Sequence, residues 1–209
     1  ERHYALGSER LVTLLNGVVL NRFAPMPPVG AIRNRAGGNQ PIALYIGKDV
    51  KRKGLDTALA AVALLEADQR PVIAAAAGRS TLRGLRMTIP PGVKVIPIGP
   101  TPDPRPLYAD ADFFVLPTRH DPCSLVVLEA LAMGVPVIST AKNGATEVMA
   151  NGVHGYVLSD PEDAKALADA IGKIMNPEIR AAMRKALIEL RPGLSFEHHL
   201  DRLIQFYQS

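Results

Sequence analysis

Six short apolar runs, several of them rich in β-branched residues, limit the folds open to this chain of 209 residues. Each run is apolar on both faces, and the segments between the runs are long enough for crossover connections. This pattern predicts buried strands of a parallel sheet. The runs occupy residues 41–47, 71–78, 93–99, 111–118, 135–141 and 155–160.

Helical patterns separate these runs. In residues 54–68, apolar side chains recur at helical spacing, namely Leu55, Leu59, Val62 and Leu65. An order in which strands and helices alternate is typical of a doubly wound, mostly parallel, Rossmann-like α/β sheet. Ligands of such sheets bind at the carboxyl ends of the strands, so we look for functional residues there.

The two ends of the chain differ from its middle. Residues 1–40 contain a short apolar stretch, a Pro-rich turn and a polar segment, which indicate an interdomain hinge and a lead-in to the first strand. Residues 41–191 form the predicted Rossmann-like domain, and residues 192–209 a terminal helix. Helices are also expected over residues 161–175 and 177–190, each with a proline, Pro161 and Pro177, in its first turn.

The composition excludes several classes of protein. The net charge is +4, but Lys and Arg are spread along the chain and there is no Trp, so nucleic-acid binding is not expected. No apolar run is long enough to span a bilayer. The single cysteine, Cys123, allows no intrachain disulfide, so a cytoplasmic location is expected. Because the chain begins at Glu1 without a leader, we expect it to be part of a longer protein.

A carboxylate interrupts an otherwise apolar helix. With Ser124 as the N-cap, the helix is predicted from Leu125 to Met133, and every position inside it except Glu129 is apolar. An unpaired buried charge costs several kcal/mol. Glu129 therefore needs either a structural partner, such as an arginine, or the hydroxyls of a ligand. We expect the amides of the first turn to favour an anion.

Two loops at predicted strand ends carry further candidates. Residues 47–56 place four basic side chains between two glycines, a set that suits a diphosphate; a solvated basic turn is the alternative. The GxxxxGK[ST] and GxGxxG motifs are absent, which disfavours P-loop and dinucleotide-binding enzymes. In residues 141–147, Gly144 allows close approach of backbone to a ligand, or simply forms an Asn-Gly turn. Asp121 is a ligand contact or an ordinary loop acid. Cys123 is expected to be a small buried residue, and no spacing indicates a metal.

Together these segments resemble one family. The stretch "DPCSLVVLEALAMGVPVISTAKNGATE" is similar to the acidic-x7-Glu signature of retaining glycosyltransferases of the GT-B fold, family four. "YIGKDVKRKGLD" resembles their phosphate loop, and "LLNGVVLNRFAP" the stretch that joins their two domains. The "RKG" loop and the "LVVLEA" helix are most similar to those of glucosyltransferases of the lipopolysaccharide core. It differs at Asp121, where the family usually has Glu, and at Lys48, where Arg is usual.

The resemblance implies a donor-binding half of an enzyme that needs no cofactor or metal. Its substrates would be a nucleotide sugar such as UDP-glucose and a saccharide or lipid-linked acceptor, and its partner its own N-terminal GT-B domain, to which the last helix would return. Peripheral contact with the inner face of the membrane is an open alternative to a purely cytoplasmic location. Glu129 would accept bonds from ribose hydroxyls, so that its partner is the donor and not the protein, and Asp121 would face the donor sugar.

The remaining donor contacts follow from the same resemblance. Lys48 and Lys53 would hold the diphosphate, together with the amides from Ser124 to Val126, and the backbone at Ile96 and Pro97 would bind the base. The full set implied is Asp121 and Glu129 as catalytic residues, with Gly47, Lys48, Arg52, Lys53, Ile96, Pro97, Ser124, Leu125, Val126 and Gly144 binding the donor. A nucleotide-sugar epimerase and a non-enzymatic nucleotide-sugar-binding module are the competing hypotheses.

Overall fold

The described part of the chain, residues 12–24, 27–77 and 88–208 of a computed structural model, contains one sheet of six parallel strands. Every predicted run forms a strand, and the prediction of a doubly wound, Rossmann-like α/β fold is confirmed. The strands are β1 (Ile42–Ile46), β2 (Val72–Ala76), β3 (Val95–Ile98), β4 (Phe113–Leu116), β5 (Val137–Thr140) and β6 (Gly155–Leu158).

The strand order positions the functional site. The sheet runs β3-β2-β1-β4-β5-β6, so the chain builds outward from β1 in one direction and then starts again at β4 on the other side. Leu44 of β1 pairs with Ala74 of β2 and with Phe114 of β4. A crevice forms where the direction of winding reverses, outside the carboxyl ends of these neighbouring strands. The loops after β1 and β4 therefore face each other.

Helices cover both faces of the sheet, which explains why β2, β4 and β5 are buried at every position. Gly54 begins the second helix in a left-handed conformation, with φ of 75°. A Cβ there would overlap the carbonyl oxygen of Pro117, so the tight turn requires glycine. The helices are α1 (Arg33–Ala36), α2 (Leu55–Leu64), α3 (Arg105–Asp110), α4 (Leu125–Ala132), α5 (Ala164–Ile174), α6 (Pro177–Leu190) and α7 (Phe196–Gln208).

Of the two prolines predicted in first turns, one is confirmed. Pro177 is the first residue of α6, and the Asn176 side chain accepts a hydrogen bond from the Glu178 amide. The prediction for Pro161 is wrong, because α5 begins three residues later with Asp163 as the N-cap. The Asp163 carboxylate accepts the Ala166 amide at 2.8 Å, and this bond sets the start of the helix.

The hinge and the terminal helix meet in space. Val18 pairs with Ser195, and the Val18 carbonyl accepts the Phe196 amide at 2.9 Å. The start of the predicted hinge, residues 1–11, lies outside the described residues, as do residues 25 and 26 of its Pro-rich turn and Gly78 at the end of the second predicted strand. The domain boundaries at residues 40 and 191 stay predictions. In the described ranges, no helix is both long and apolar enough to cross a membrane.

Candidate functional site

A cavity of about 710 Å³ opens at the carboxyl ends of β1 and β4, where the sheet reverses its winding. Its size is in the range of small-molecule sites. Two segments face each other across it: the basic loop, residues 47–53, and the acidic wall, residues 121–129. Most of the predicted site residues line this cavity, namely Gly47, Lys48, Arg52, Lys53, Asp121, Ser124, Leu125, Val126 and Glu129.

The cationic side chains of the basic loop differ in their exposure and in their bonds to the rest of the protein. Lys48 is exposed, and the described residues offer it no hydrogen-bond or ion-pair partner. Arg52 contacts the Asp49 carboxylate at 3.3 Å and donates to the carbonyl oxygen of His120 at 2.8 Å. Lys53 is largely buried and forms an ion pair with Asp121. The loop therefore combines one cation facing solvent with two that are bonded to the chain.

Arg119, which the sequence did not single out, ties the basic loop to the segment after β4. Its backbone amide donates to the carbonyl oxygen of Arg52 at 2.8 Å. Its guanidinium forms ion pairs with Asp56 at 3.0 Å and with Glu162 at 2.9 Å. The only sequence signal for this role is an arginine three residues after a buried strand. These bonds join the basic loop to the segment that leads into residues 121–129.

Gly144 supports the acidic wall from behind and is not among the residues that line the cavity. Its amide donates to the Asp121 carbonyl oxygen at 3.0 Å. A Cβ at this position would overlap the carbonyl oxygen of Pro122. The predicted close approach therefore exists, but it is to the chain's own backbone, because the loop after β5 packs directly against residues 121 and 122.

The beginning of α4 leaves fewer free amides than predicted. The amide of Ser124 donates to Oδ1 of Asn143 at 3.2 Å, and that of Val127 to the Ser124 carbonyl oxygen at 3.1 Å. The Ser124 side chain makes no capping bond, although Ser124 is the N-cap. Within the described residues, the amides of Leu125 and Val126 are left without an acceptor and line the cavity. These amides favour an anion there.

Asn143 holds this arrangement together and was missed as a site residue. It is fully buried, and its Oδ1 also accepts the Ala145 amide at 3.1 Å. Its Nδ2 donates to the hydroxyl oxygen of Ser139 on β5 at 3.1 Å. In the sequence it read as one half of an Asn-Gly turn. The structure adds a connection from β5 to the start of α4.

Glu129 has a partner in the protein, so the expectation that its partner is the donor and not the protein is wrong in that exclusive form. The hydroxyl of Tyr108 on α3 donates to Oε2 of Glu129 at 2.8 Å. Burial raises the pKa of Glu129, while the bond from Tyr108 and the charge of Arg22 act in the opposite direction. The partner is a neutral hydroxyl and not an arginine, and Glu129 still lines the cavity.

The two residues predicted to bind the base do not line this cavity, and that role stays a prediction. Ile96 and Pro97 fall inside β3, where they pair with Ala74 and Ala75 of β2, and neither lines the cavity. The Pro97 carbonyl oxygen accepts a bond from Arg35 at 2.8 Å. The strand continues to Ile98, so the residues that follow it and line the cavity are 99–101. The predicted strand of residues 93–99 already contained Ile96 and Pro97, and the structure places both of them within it.

Cys123 lines the cavity and is partly buried, as expected of a small filler. Burial is the main reason that the pKa of its thiol is raised, which disfavours the nucleophilic thiolate. Among the described residues, no three His, Cys, Asp or Glu side chains are grouped closely enough to hold a metal ion.

Comparison with known proteins gives a consistent assignment. The family profile described as "Glycosyl transferases group 1" matches residues 32–189. LpsE of Rhizobium meliloti (strain 1021), a lipopolysaccharide core biosynthesis glycosyltransferase, is 33% identical over 135 residues. The match covers 65% of this chain and 39% of LpsE, so the chain spans well under half the length of that relative.

Solved structures share the fold. Sucrose-phosphate synthase from Thermosynechococcus elongatus superimposes with a TM-score of 0.76 at 27% identity, over 93% of this chain and 51% of that one. HepE from Anabaena, solved in complex with UDP-glucose, gives a TM-score of 0.73 at 18% identity, over 92% of this chain and 56% of that one. At that lower identity the likeness concerns the fold alone.

Proposed function

The chain belongs to the glycosyl transferases group 1 family, and from this premise we propose that it is the donor-binding half of a retaining glycosyltransferase. The enzyme transfers a hexose from a nucleotide diphosphate sugar, with a UDP-sugar favoured, to a saccharide or lipid-linked acceptor. The other half is an N-terminal GT-B domain, since the chain spans only part of its relatives. The transfer reaction requires both halves.

One observation carries this proposal: the half-buried carboxylate of Glu129, two free amides and a basic loop surround a single cavity at the winding reversal of the sheet. Each group matches a different part of a nucleotide sugar. A carboxylate accepts hydrogen bonds from vicinal ribose hydroxyls. Free amides at a helix N-terminus and lysines neutralise a diphosphate. The residues after β3 leave room for the base.

At the proposed sugar end of the site, Lys53 and Asp121 form an ion pair. Asp121 is 8% exposed, so the charge of its carboxylate is balanced mainly by Lys53. In this proposal a diphosphate beside Lys53 shares the ammonium group of that lysine with the Asp121 carboxylate. Lys48 and Arg52 supply the remaining positive charge for the leaving diphosphate, without a metal.

The acceptor and the cellular role are proposed from the relatives. LpsE acts in lipopolysaccharide core biosynthesis, and HepE was solved with UDP-glucose. We infer that this protein also builds a cell-envelope polysaccharide, working in the cytoplasm at the inner face of the membrane. Peripheral contact there gives access to a lipid-linked acceptor.

Calorimetric titration of the chain with UDP, GDP and ADP, without and then with magnesium, tests the donor site. We expect one nucleotide to bind with an affinity that magnesium leaves unchanged. Binding that requires magnesium would contradict the metal-independent site. No binding of any nucleotide to the chain would contradict its assignment as a donor-binding half.

Activity assays on the chain joined to an N-terminal half test the reaction. Transfer of the hexose to a saccharide or lipid-linked acceptor, with retention at the anomeric carbon, is expected. Conversion of the nucleotide sugar in the absence of acceptor would instead identify an epimerase. Donor binding without transfer to any acceptor would identify a binding module.

A further inference from the structure

Tyr108 places a single hydroxyl group between two atoms of α4. The hydroxyl lies 2.8 Å from Oε2 of Glu129 and 3.2 Å from the carbonyl oxygen of Val126. A phenol has one proton to donate, and the shorter contact and the negative charge both select Glu129 as the acceptor. The Glu129 carboxylate therefore has its own hydrogen-bond donor, a hydroxyl that comes from another helix.

The ring of Tyr108 cannot easily turn away from Glu129. Tyr108 is 1% exposed. The ring of Phe23 lies edge-on to it with centroids 6.5 Å apart, and the ring of Phe114 on β4 lies 6.2 Å away. Because these rings fill the space around Tyr108, its hydroxyl is held at one point on the surface of α4. Of the buried side-chain polar atoms described, only the Tyr45 hydroxyl has no partner.

A hydrogen-bond donor in a fixed position determines the orientation of the Glu129 carboxylate. A carboxylate has about four lone-pair positions, and Tyr108 occupies one of them on Oε2. Glu129 also lines the cavity, so the remaining positions are available to a ligand. Two vicinal hydroxyls need both oxygens of one carboxylate in a defined plane, and a Glu side chain without an anchor has several rotamers.

We propose that Tyr108 is a positioning residue, which holds the Glu129 carboxylate in the orientation that accepts the two neighbouring hydroxyls of a nucleotide ribose. The inference rests on the proposed function, since it concerns the same donor site. Tyr108 does not line the cavity and acts only through Glu129. Ribose recognition thus depends on a residue from outside the family-like motifs.

The test uses Tyr108→Phe in the 209-residue chain, with three probes: the nucleoside diphosphate among UDP, GDP and ADP that binds most tightly, its 2′,3′-dideoxy analogue, and pyrophosphate. We expect the variant to bind the ribonucleotide about tenfold more weakly, because a Glu129 carboxylate that is no longer anchored forms poorer bonds to the two ribose hydroxyls. Binding of the dideoxy analogue and of pyrophosphate should stay within about twofold of wild type. Calorimetry measures all three affinities.

Tyr45→Phe is the matched control, because it also removes one hydroxyl from a fully buried tyrosine. Tyr45 does not line the cavity, and we expect all three affinities to be unchanged. A second comparison uses Glu129→Gln as the background. There, Tyr108→Phe should weaken ribonucleotide binding much less than in wild type, since the group that it positions is already altered.

A pH profile adds a measurement that a purely structural role would not change. Glu129 faces Tyr108 on α3 and Arg22 on the 3₁₀ helix Leu20–Phe23, and it shares a smaller cavity with Asp103 and Arg105. The bond from Tyr108 lowers the pKa of Glu129, so its removal raises that pKa. Ribonucleotide affinity should therefore decline at a higher pH in Tyr108→Phe than in wild type as the solution is acidified.

The outcomes separate this inference from the proposed function. Equal weakening of the ribonucleotide and its dideoxy analogue in Tyr108→Phe, or no weakening at all, would overturn the positioning role while the wild-type preference for the ribonucleotide stands. A wild-type chain that binds no nucleotide, or that binds both forms equally, would overturn the ribose site itself, and the role of Tyr108 with it.

Discussion

The basic loop and the acidic wall enclose the same cavity but are built by opposite means. Apart from Lys53, which is largely buried, the basic loop carries its charge on side chains that reach solvent, and 44% of the Arg52 side chain is exposed. The acidic wall carries buried or half-buried groups whose atoms are bonded to other elements. Asn143 accepts the Ser124 amide, and Tyr108 donates to Glu129.

This difference indicates that the two segments contribute to ligand binding in different ways. Groups held by buried hydrogen bonds have one geometry and are sensitive to any change in it. Exposed charges act through their field, which salt screens, and each contributes little. We therefore expect the acidic wall to provide geometric recognition of a ligand and the basic loop to provide charge balance. Changes in the wall should have larger effects than changes in the loop.

The largest effect is expected from Gly144→Ala, behind the acidic wall. The new Cβ would overlap the carbonyl oxygen of Pro122, and neither backbone can move without disturbing the bond between the Gly144 amide and Asp121. We expect a loss of about 3 kcal/mol in the free energy of unfolding, measured in urea.

Gly172→Ala is the control for this substitution. Gly172 lies inside α5, and a Cβ there meets no atom within 4 Å. Alanine in the interior of a helix should raise the free energy of unfolding by up to about 1 kcal/mol. Equal effects of the two substitutions would show that the acidic wall is not rigidly supported.

Glu129→Gln should weaken the binding of the nucleoside diphosphate by about 1.5–3 kcal/mol, because charge-assisted bonds are lost. The ligand-free chain should behave differently. Burial raises the pKa of Glu129 in the folded state, so the stability associated with its protonation is present at low pH and is lost as the pH rises through the folded pKa. Gln has no such dependence. Calorimetry and thermal melts over the acidic to neutral range measure both effects.

Glu147→Gln provides the comparison, since Glu147 is an exposed acid that does not line the cavity. Its substitution should leave nucleotide affinity unchanged. If Glu129→Gln binds nucleotide as wild type does but melts at a lower temperature, Glu129 has a structural role only. The contrast between the basic loop and the acidic wall would then not reflect ligand binding.

A smaller effect is expected in the basic loop. Lys53→Ala should reduce nucleotide affinity by about 1–1.5 kcal/mol and should make binding less dependent on salt. Lys51→Ala, in the same loop but outside the cavity lining, should change affinity very little. Titrations at low and high salt distinguish the two lysines. Equal behaviour would mean that the loop acts through its net charge rather than through Lys53.

The smallest effect is expected from Tyr45→Phe, beneath the basic loop. The hydroxyl of Tyr45 is buried and is the only such side-chain atom in the described ranges without a hydrogen-bond partner. Removing it should leave the free energy of unfolding within about 0.5 kcal/mol of wild type or raise it slightly. A loss above about 1 kcal/mol would show that the hydroxyl is bonded in solution.

Much of the fold was predictable from the sequence because periodicity reports burial. The six apolar runs became strands, and Glu129 was recognisable as a carboxylate on an apolar helix. Pro161 was misplaced because the Asp163 cap, and not the proline, sets the start of α5. Ile96 and Pro97 lie inside β3, within the predicted run of residues 93–99, and do not line the cavity.

The partners of the site residues could not be predicted in this way. Tyr108 lies 21 positions before Glu129 on a different helix, and Asn143 lies 19 positions after Ser124. Nothing in the local pattern around either residue indicates the bond. The same holds for Arg119, whose guanidinium joins Asp56 and Glu162.

Residue types and their spacing thus specified the alternation of strands and helices, the winding of the sheet and the groups that gather at its carboxyl edge. These properties follow from burial, which is averaged over many residues and tolerates small errors in position. The tertiary structure decided which carbonyl, amide or carboxylate each of these groups bonds to. A hydrogen bond requires its two atoms to come within about 3 Å, and only the tertiary contacts between elements set distances that finely.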